Sequence, residues 1–399
     1  MLVGLAAVLA AAGLPLYVHL PRFAAETGMG LGTVGALLLV FRLFDLVQDP
    51  LLGLLADRWR RWRRGLAMGS LIAMGIGFFW VFTLQPGIWE LAAGLAVLFT
   101  GFSLGMILFY SQGVGLAQGA GEHLRLAGLR EAGTLTGIVI AALLPTLFAV
   151  LTNPARSYAL FGLVMLGLSV LAALATRGFW TADAMPPPPR LQLRPFLAAG
   201  GGRLLALALI NALPVALTSS LFLFFVEDRL QLPHLAGPYL LLFFVAAGVS
   251  APLWSRLAAR FGARQVLVPA MVLAILAFLW TATLAPGAGV GFAVITVLSG
   301  VALGADMVIL PALFANVLAR ADLPAGAAFG TWFLAGKLAL ALAAATALPI
   351  LQRVGYVPGG DNSPEVLQTL TALYALVPCA LKLPAIWMVL RLPQETRNA

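Results

Sequence analysis

The sequence predicts an all-α integral membrane protein of twelve transmembrane helices in two six-helix bundles, and three observations carry that prediction. Of 399 residues, 61% are hydrophobic and 10% charged, where a soluble domain carries about 25% charged residues; the mean hydropathy is +0.99. The apolar runs are continuous, not alternating, which excludes a closed barrel. A polar, proline-rich break then divides the chain into halves, each with room for six spans of about 20 residues or more.

Taken in order, the spans lie near 3–25, 31–56, 66–85, 90–117, 128–151 and 157–178 in the first half. In the second they lie near 201–226, 235–257, 265–284, 289–318, 325–352 and 365–391. Met1-Leu2 leads into apolar sequence without a basic n-region or a small-residue cleavage site, so the first span is expected to stay. The charges between spans orient the rest. Arg58, Arg60, Arg61, Arg63 and Arg64 follow the second span, and Arg125 and Arg130 the fourth. Arg177, Arg190, Arg194 and Arg203 surround the central break, Arg256, Arg260 and Arg264 follow the eighth span, Arg320 the tenth, and Arg391 and Arg397 the last. On the alternate side stand only Arg22, Arg156, Arg229 and Arg353, with Glu90, Glu227, Asp228, Asp361 and Glu365. Cationic loops stay inside, so both termini are expected to be cytoplasmic in a cell inner (cytoplasmic) membrane. The net charge of +9 therefore serves orientation and contact with anionic lipid, not nucleic-acid binding. Trp59, Trp62, Trp80, Trp89, Trp180 and Trp254 fall near span ends, as an interfacial aromatic belt does.

The break itself holds Pro186–Pro189 flanked by Arg190 and Arg194, which favours an extended, semi-rigid segment. Residues 1–180 and 201–399 are thus expected as six-helix bundles joined by a cytoplasmic linker over 181–200. The halves are degenerate repeats. Asp49-Pro50-Leu51-Leu52-Gly53 ends in Ala56-Asp57-Arg58, and Ala251-Pro252-Leu253-Trp254-Ser255 ends in Ala258-Ala259-Arg260. Proline and arginine recur at one spacing, each on the second span of its half, while Asp45, Asp49 and Asp57 meet Ala247, Ala251 and Ala259. Carboxylate chemistry in the second span is confined to the N-terminal half.

That span is the most informative stretch of the chain. Asp45 and Asp49, four residues apart, share one helix face, and Arg42 lies one turn earlier. An ionised side chain at mid-bilayer costs about 3 kcal/mol on insertion scales, so the stripe must face protein or water. Two carboxylates and the Gln48 amide oxygen suit a hard cation, and Pro50 removes the helix hydrogen bond to the Leu46 carbonyl, exposing a further oxygen. Three readings stand. The pair binds a monovalent cation, Na⁺ foremost; or it binds a proton, because burial and a like-charged neighbour favour the protonated carboxyl; or Asp45 pairs with Arg42 to hold the helix in register.

Lys337, central in the eleventh span, is too deep to snorkel. It either balances the aspartates or forms an ion pair closing the two bundles. Lys382, nearer the cytoplasmic end of the last span, is expected to snorkel. Cys379 is the only cysteine, which excludes an internal disulfide and a cysteine metal site. His19, His123 and His234 are far apart and there is no P-loop, so an enzyme and an ATP-driven pump are both unsupported. No cofactor or metal is implied beyond Na⁺ or H⁺ as coupling ion, and the expected partners are a small-molecule substrate and the lipid bilayer, with the protein expected as a monomer.

At these residues the chain resembles the glycoside–pentoside–hexuronide:cation symporter family of the major facilitator superfamily. The second span matches that family's pattern through Arg42, Asp45, Asp49, Pro50, Gly53, Asp57 and Arg58. Lys337 in Gly336-Lys337-Leu338-Ala339 matches its mid-membrane lysine, and Gly355-Tyr356-Val357-Pro358 with Asn362-Ser363-Pro364 its last external loop. The departures are specific. Gly115–Ala120 lacks the acids that close the family's fourth span, although Glu122-His123-Leu124-Arg125-Leu126 keeps the following turn. Leu14–His19 lacks a first-span acid, and Asn316 stands where the family has a tenth-span acid. The resemblance implies cation-coupled symport, by Na⁺ or H⁺, of a sugar or glycoside-like solute through alternating access. A cation-coupled carrier of an amphiphile such as a lysolipid, or proton-coupled export of another small molecule, is the alternative.

The resemblance also implies roles for further residues. First, fourth, seventh and tenth spans line the major-facilitator cavity. Tyr17, Tyr110, Gln112, Asp306 and Trp332 become substrate-cavity candidates, with His19, Asn211 and Thr218 weaker ones; each is otherwise an ordinary polar contact between helices. Asp57 and Arg58, with Arg130 and Glu131 as partners, resemble the cytoplasmic gate of this superfamily. Arg60–Arg64 read instead as lipid-facing charge.

Overall fold

The computed structural model describes all residues except 14–15, 17–18, 21–22, 24–30, 85–86, 118, 153, 181–192 and 393–399, together with the side chains of 31–35, 42 and 154–155. Among the described residues the secondary structure is helical throughout, with no strand. The first half runs α1 (Leu2–Ala10), α2 (Leu31–Arg58), α3 (Arg63–Thr83), α4 (Ile88–Leu116), α5 (Ala120–Leu151) and α6 (Pro154–Ala175). A short α7 (Leu193–Ala198) precedes α8 (Gly201–Phe224), α9 (Ala236–Phe261), α10 (Ala263–Thr281), α11 (Gly289–Arg320), α12 (Ala325–Arg353), α13 (Pro364–Thr371) and α14 (Val377–Leu390). Ten helical stretches are long and apolar enough to cross a membrane among the described residues, nine built on α3–α6 and α8–α12 and the tenth running from Pro364 to Leu390 through α13 and α14. The proline-rich run at 186–189 lies outside the described residues.

Three details depart from the expected spans. The Glu122–Leu126 stretch is not a turn; it is helical, and α5 begins at Ala120. Single π-helical turns at Phe225–Arg229 and Ala372–Leu376 widen the seventh and twelfth spans, a local expansion common where function or packing distorts a helix. Asp228, in the first of these turns, accepts hydrogen bonds from the Tyr356 hydroxyl and from the Gly359 amide at 3.1 Å.

The chain divides into two compact units. Unit 1 comprises Met1–Ala117, Leu129–Ala199 and Val317–Leu334; unit 2 comprises Gln118–Gly128, Gly200–Asn316 and Ala335–Ala399. Each unit thus includes a segment that the sequence places in the opposite half. In unit 1, glycines let backbones approach, as small residues do between membrane helices. A Cβ on Gly77 would lie 2.6 Å from that of Leu98, and one on Gly101 would lie 2.6 Å from the Met74 amide. α3 is thereby seated on α4. Gly133 and Gly137 of α5, four residues apart, admit the backbone of α1 at Val3 and Ala7. The core is aromatic: Phe78, Phe82 and Phe161 are fully buried, and Phe82 stacks on Tyr158 with centroids 5.8 Å apart.

Unit 2 has its own core around Phe225, which stacks on Tyr374 at 4.2 Å, with Phe292 and Tyr239 in edge contact at 5.0 Å. α9 and α11 are pinned by the Trp254 indole, which donates to the Val301 carbonyl at 2.7 Å. Beside it a Cβ on Gly304 would lie 2.7 Å from the Ala247 carbonyl.

Candidate functional site

α2 is built inside out. Asp45, Gln48 and Asp49 are 2%, 7% and 1% exposed, while Leu43, Phe44, Val47, Leu51 and Leu54 on the same helix are each about half exposed or more. The 3.6-residue period places the three polar groups on one face, and that face points into unit 1. Apolar side chains cover the opposite face, the arrangement expected of a helix solvated by lipid. Gln48 is held from α4: the Thr100 hydroxyl donates to Gln48 Oε1 at 2.9 Å. An amide oxygen has two lone pairs, so this bond positions the oxygen without exhausting it. The Arg42 side chain lies outside the described residues. Lys337 is half-buried on α12 in the part that clusters with unit 2.

The backbone of α2 next to Asp49 is equally constrained. A Cβ on Gly330 of α12 would lie 2.6 Å from the Asp49 carbonyl oxygen, and one on Gly53 would lie 2.5 Å from the Gly326 carbonyl. Gly53 meets Gly326, and Gly330, one helical turn further on, meets Asp49, in each case backbone to backbone. This contact brings the start of α12 onto the end of α2, where Asp57 completes it. Its Oδ1 accepts from the Gly326 amide at 2.9 Å and its Oδ2 from the Ala327 amide at 2.6 Å. The first amides of a helix have no intrahelical acceptor, and the positive end of the helix dipole favours a carboxylate. Arg63 and Arg60 supply further positive charge to Asp57.

Asp57 and the pair expected to partner it are thus in separate clusters. Arg130 and Glu131 of α5 bond to one another, Nε to Oε1 at 3.0 Å, and are 8% and 1% exposed. Tyr110 of α4 donates to the same Glu131 oxygen at 2.9 Å, and the Arg130 guanidinium lies over the Tyr110 ring at 3.5 Å. Edge contacts of Tyr110 with Phe329 and Phe333, at 5.3 and 5.0 Å, bring this cluster onto the same first turns of α12 that Asp57 caps. Glu131 Oε2 has no hydrogen bond among the described residues. Phe329 and Phe333 carry no chemistry that a sequence would flag; only the fold reveals that they cover Tyr110.

The remaining expected residues separate. Gln112 is 3% exposed on α4, Trp332 is half-buried on α12 and Arg58 is exposed; Tyr17 lies outside the described residues. His19 bonds the Ala142 carbonyl through Nε2 at 2.9 Å and sits against Tyr158 and Phe161. Of the basic run, Arg60–Arg64 was expected to face lipid, yet Arg63 is 8% exposed and donates to the Ser111 hydroxyl on α4. A buried guanidinium needs acceptors more than it needs lipid phosphate. Trp180, expected in the interfacial belt, is buried and donates to Thr176 at 3.1 Å.

Lys382 is the principal correction. It does not snorkel: it is 4% exposed and donates through Nζ to Asp306 Oδ2 at 2.5 Å, joining α14 to α11 within unit 2. The two are legible as opposite intramembrane charges in one half, but depth along the span alone does not pair them. Desolvation without a partner costs more than bending a flexible stem toward a carboxylate.

Comparison with known proteins follows the same lines. A family model described as MFS/sugar transport protein matches residues 2–395. An uncharacterized symporter of Synechocystis sp. is 28% identical over 208 residues, 46% of this chain and 38% of the relative. The matched region therefore spans well under half the length of that curated relative. Among solved structures, a bacterial homologue of the iron transporter ferroportin, in an outward-facing state, superposes with a TM-score of 0.73 at 16% identity, covering 98% of both chains. The E. coli fucose:proton symporter gives a TM-score of 0.68 at 16% identity over 96% of each chain. The human organic anion transporter gives 0.68 at 18%, over 96% of this chain and 97% of that one. At such identities these structures establish the fold.

Proposed function

This chain belongs to the MFS/sugar transport protein family, a multi-pass membrane transporter and not an enzyme, and from that membership we propose that it couples a cation to the symport of a sugar or glycoside-like solute. The observation that carries the reading is the buried face of α2, where Asp45, Gln48 and Asp49 are held inward and the apolar side chains outward. In this reading Asp45 and Asp49 bind the coupling ion, Na⁺ or H⁺, with the Gln48 amide oxygen beside them. Arg42 and Lys337 balance the carboxylates when the ion is absent. Tyr110, Gln112, Asp306 and Trp332 serve the substrate pathway or its walls, and the sugar-binding acids of the glycoside–pentoside–hexuronide symporters have no counterpart at Leu14–His19 or Gly115–Ala120.

The gate in this reading is the start of α12. A carboxylate that caps two amides and a glycine pair in backbone contact make a contact that is either fully formed or lost, as alternating access requires. The charge distribution of the loops supports cytoplasmic termini and an inner-membrane location.

Uptake into proteoliposomes tests the proposal. Radiolabelled glycosides are offered under an imposed inward Na⁺ gradient, under an inward proton gradient, and under neither. Accumulation that collapses when one gradient is dissipated supports symport and names the ion. Uptake of equal rate without any gradient contradicts coupling, and competition by lysolipids but not by glycosides contradicts the substrate class.

A further inference from the structure

The Asp306–Lys382 pair lines a partly open cavity that lies wholly inside unit 2, between α8, α9, α10, α11 and α14. Its walls are apolar, including Pro214, Phe243, Ile275, Phe278 and Leu303, and its polar contributions come from Thr218, Ser299 and the ion pair. The hydroxyls of Thr218 and Ser299 donate to carbonyls of their own helices, Val215 at 3.0 Å and Ile295 at 2.8 Å. What they offer the cavity is therefore acceptor oxygen. Asp306 offers the same: Oδ2 is taken by Lys382, while Oδ1 has no hydrogen bond among the described residues although the residue is 7% exposed. A buried acceptor left without a donor is costly, and the pair as a whole is electrically neutral, so a second full charge would be uncompensated.

We propose that this cavity is a second binding site, for a small neutral amphiphile with an apolar body and a hydroxyl donor directed at Asp306 Oδ1. The site does not draw on the cation-site residues of α2, because every residue that forms it belongs to unit 2, and it shares Asp306 with the substrate pathway proposed above. The apolar walls accept the body, and the donor satisfies the oxygen of this ion pair that has no hydrogen bond among the described residues.

Cys379, the only cysteine of the chain, lines the cavity and reports on it without mutation. The full-length protein in lipid nanodiscs is treated with methyl methanethiosulfonate, and modification of Cys379 is followed by intact mass with 1-hexanol or its isomer methyl pentyl ether as probe. The expected result is that Cys379 reacts and that 1-hexanol slows the reaction several-fold and saturably, while the ether, with the same number of heavy atoms but no donor, slows it at least threefold less. A thiol that resists the reagent in the folded protein overturns an accessible cavity. Equal protection by alcohol and ether overturns the donor contact, leaving partition into lipid as the cause. A second variant keeps the ion pair intact: Ala274→Phe fills the cavity wall and is expected to abolish protection by 1-hexanol at unchanged melting temperature. Protection that persists in that variant overturns the location.

Discussion

Asp49 is 1% exposed on a helix where Val47, two positions earlier, is 63% exposed, and that contrast between two faces was readable from the sequence. Two carboxylates four residues apart in an apolar run leave the helix one way to turn, because the cost of lipid exposure is several kcal/mol. Lys382 was not readable in the same way, since its partner lies 76 residues away and only tertiary packing brings α11 to α14. The pair makes a stability prediction. Lys382→Met or Asp306→Leu alone strands a buried charge and is expected to cost about 3–5 kcal/mol, whereas the double substitution recovers most of the loss. Unfolding in detergent, followed by tryptophan fluorescence for the singles and the double, checks this; a double variant no better than the worse single contradicts it.

At the scale of elements, the start of α12 is the best-determined contact. Asp57 caps it at Gly326 and Ala327, and Gly53, Gly326 and Gly330 let the backbones touch. Asp57→Ala is expected to cost about 0.5–2 kcal/mol, the range of an N-cap deletion, with Asp57→Asn milder because the amide oxygen still accepts. Gly326→Val is expected to be more severe than either, since its Cβ would lie 2.6 Å from Asp57 Oδ1 and 2.8 Å from the Gly53 carbonyl. Melting temperatures ranked in any other order contradict the latch. The sequence repeat has a companion contact in the structure. Ser255, the counterpart of Gly53, donates to the Leu124 carbonyl at 2.8 Å, and a Cβ on Gly128 would lie 2.7 Å from its Cβ. Each half's second span thus receives the start of a helix numbered in the other half, but only Asp57 adds a carboxylate; Ala259 at the equivalent position adds none. Hydropathy placed the spans well, whereas the helical Glu122–Leu126 and the two π turns escaped it, because polar first turns and single inserted residues leave no apolar period.

At the scale of the whole molecule, the major-facilitator fold was legible because composition, charge asymmetry and a short charged motif agree. Substrate identity was not, because the acids expected at Leu14–His19 and Gly115–Ala120 are absent from the sequence and no apolar residue there specifies a replacement. The central claim concerns the ion and can be tested before any substrate is known. Thermal unfolding of the purified protein is followed while Na⁺ replaces choline at constant ionic strength, at two pH values, in wild type and Asp49→Asn. A ligand bound only to the folded state adds about 2.7 kcal/mol at a hundredfold excess over its Kd. The account predicts a saturable rise in melting temperature with Na⁺, or a pH-dependent rise in its place, that Asp49→Asn abolishes. A wild type that responds to neither ion, or an Asp49→Asn variant that responds as fully as wild type, would contradict it.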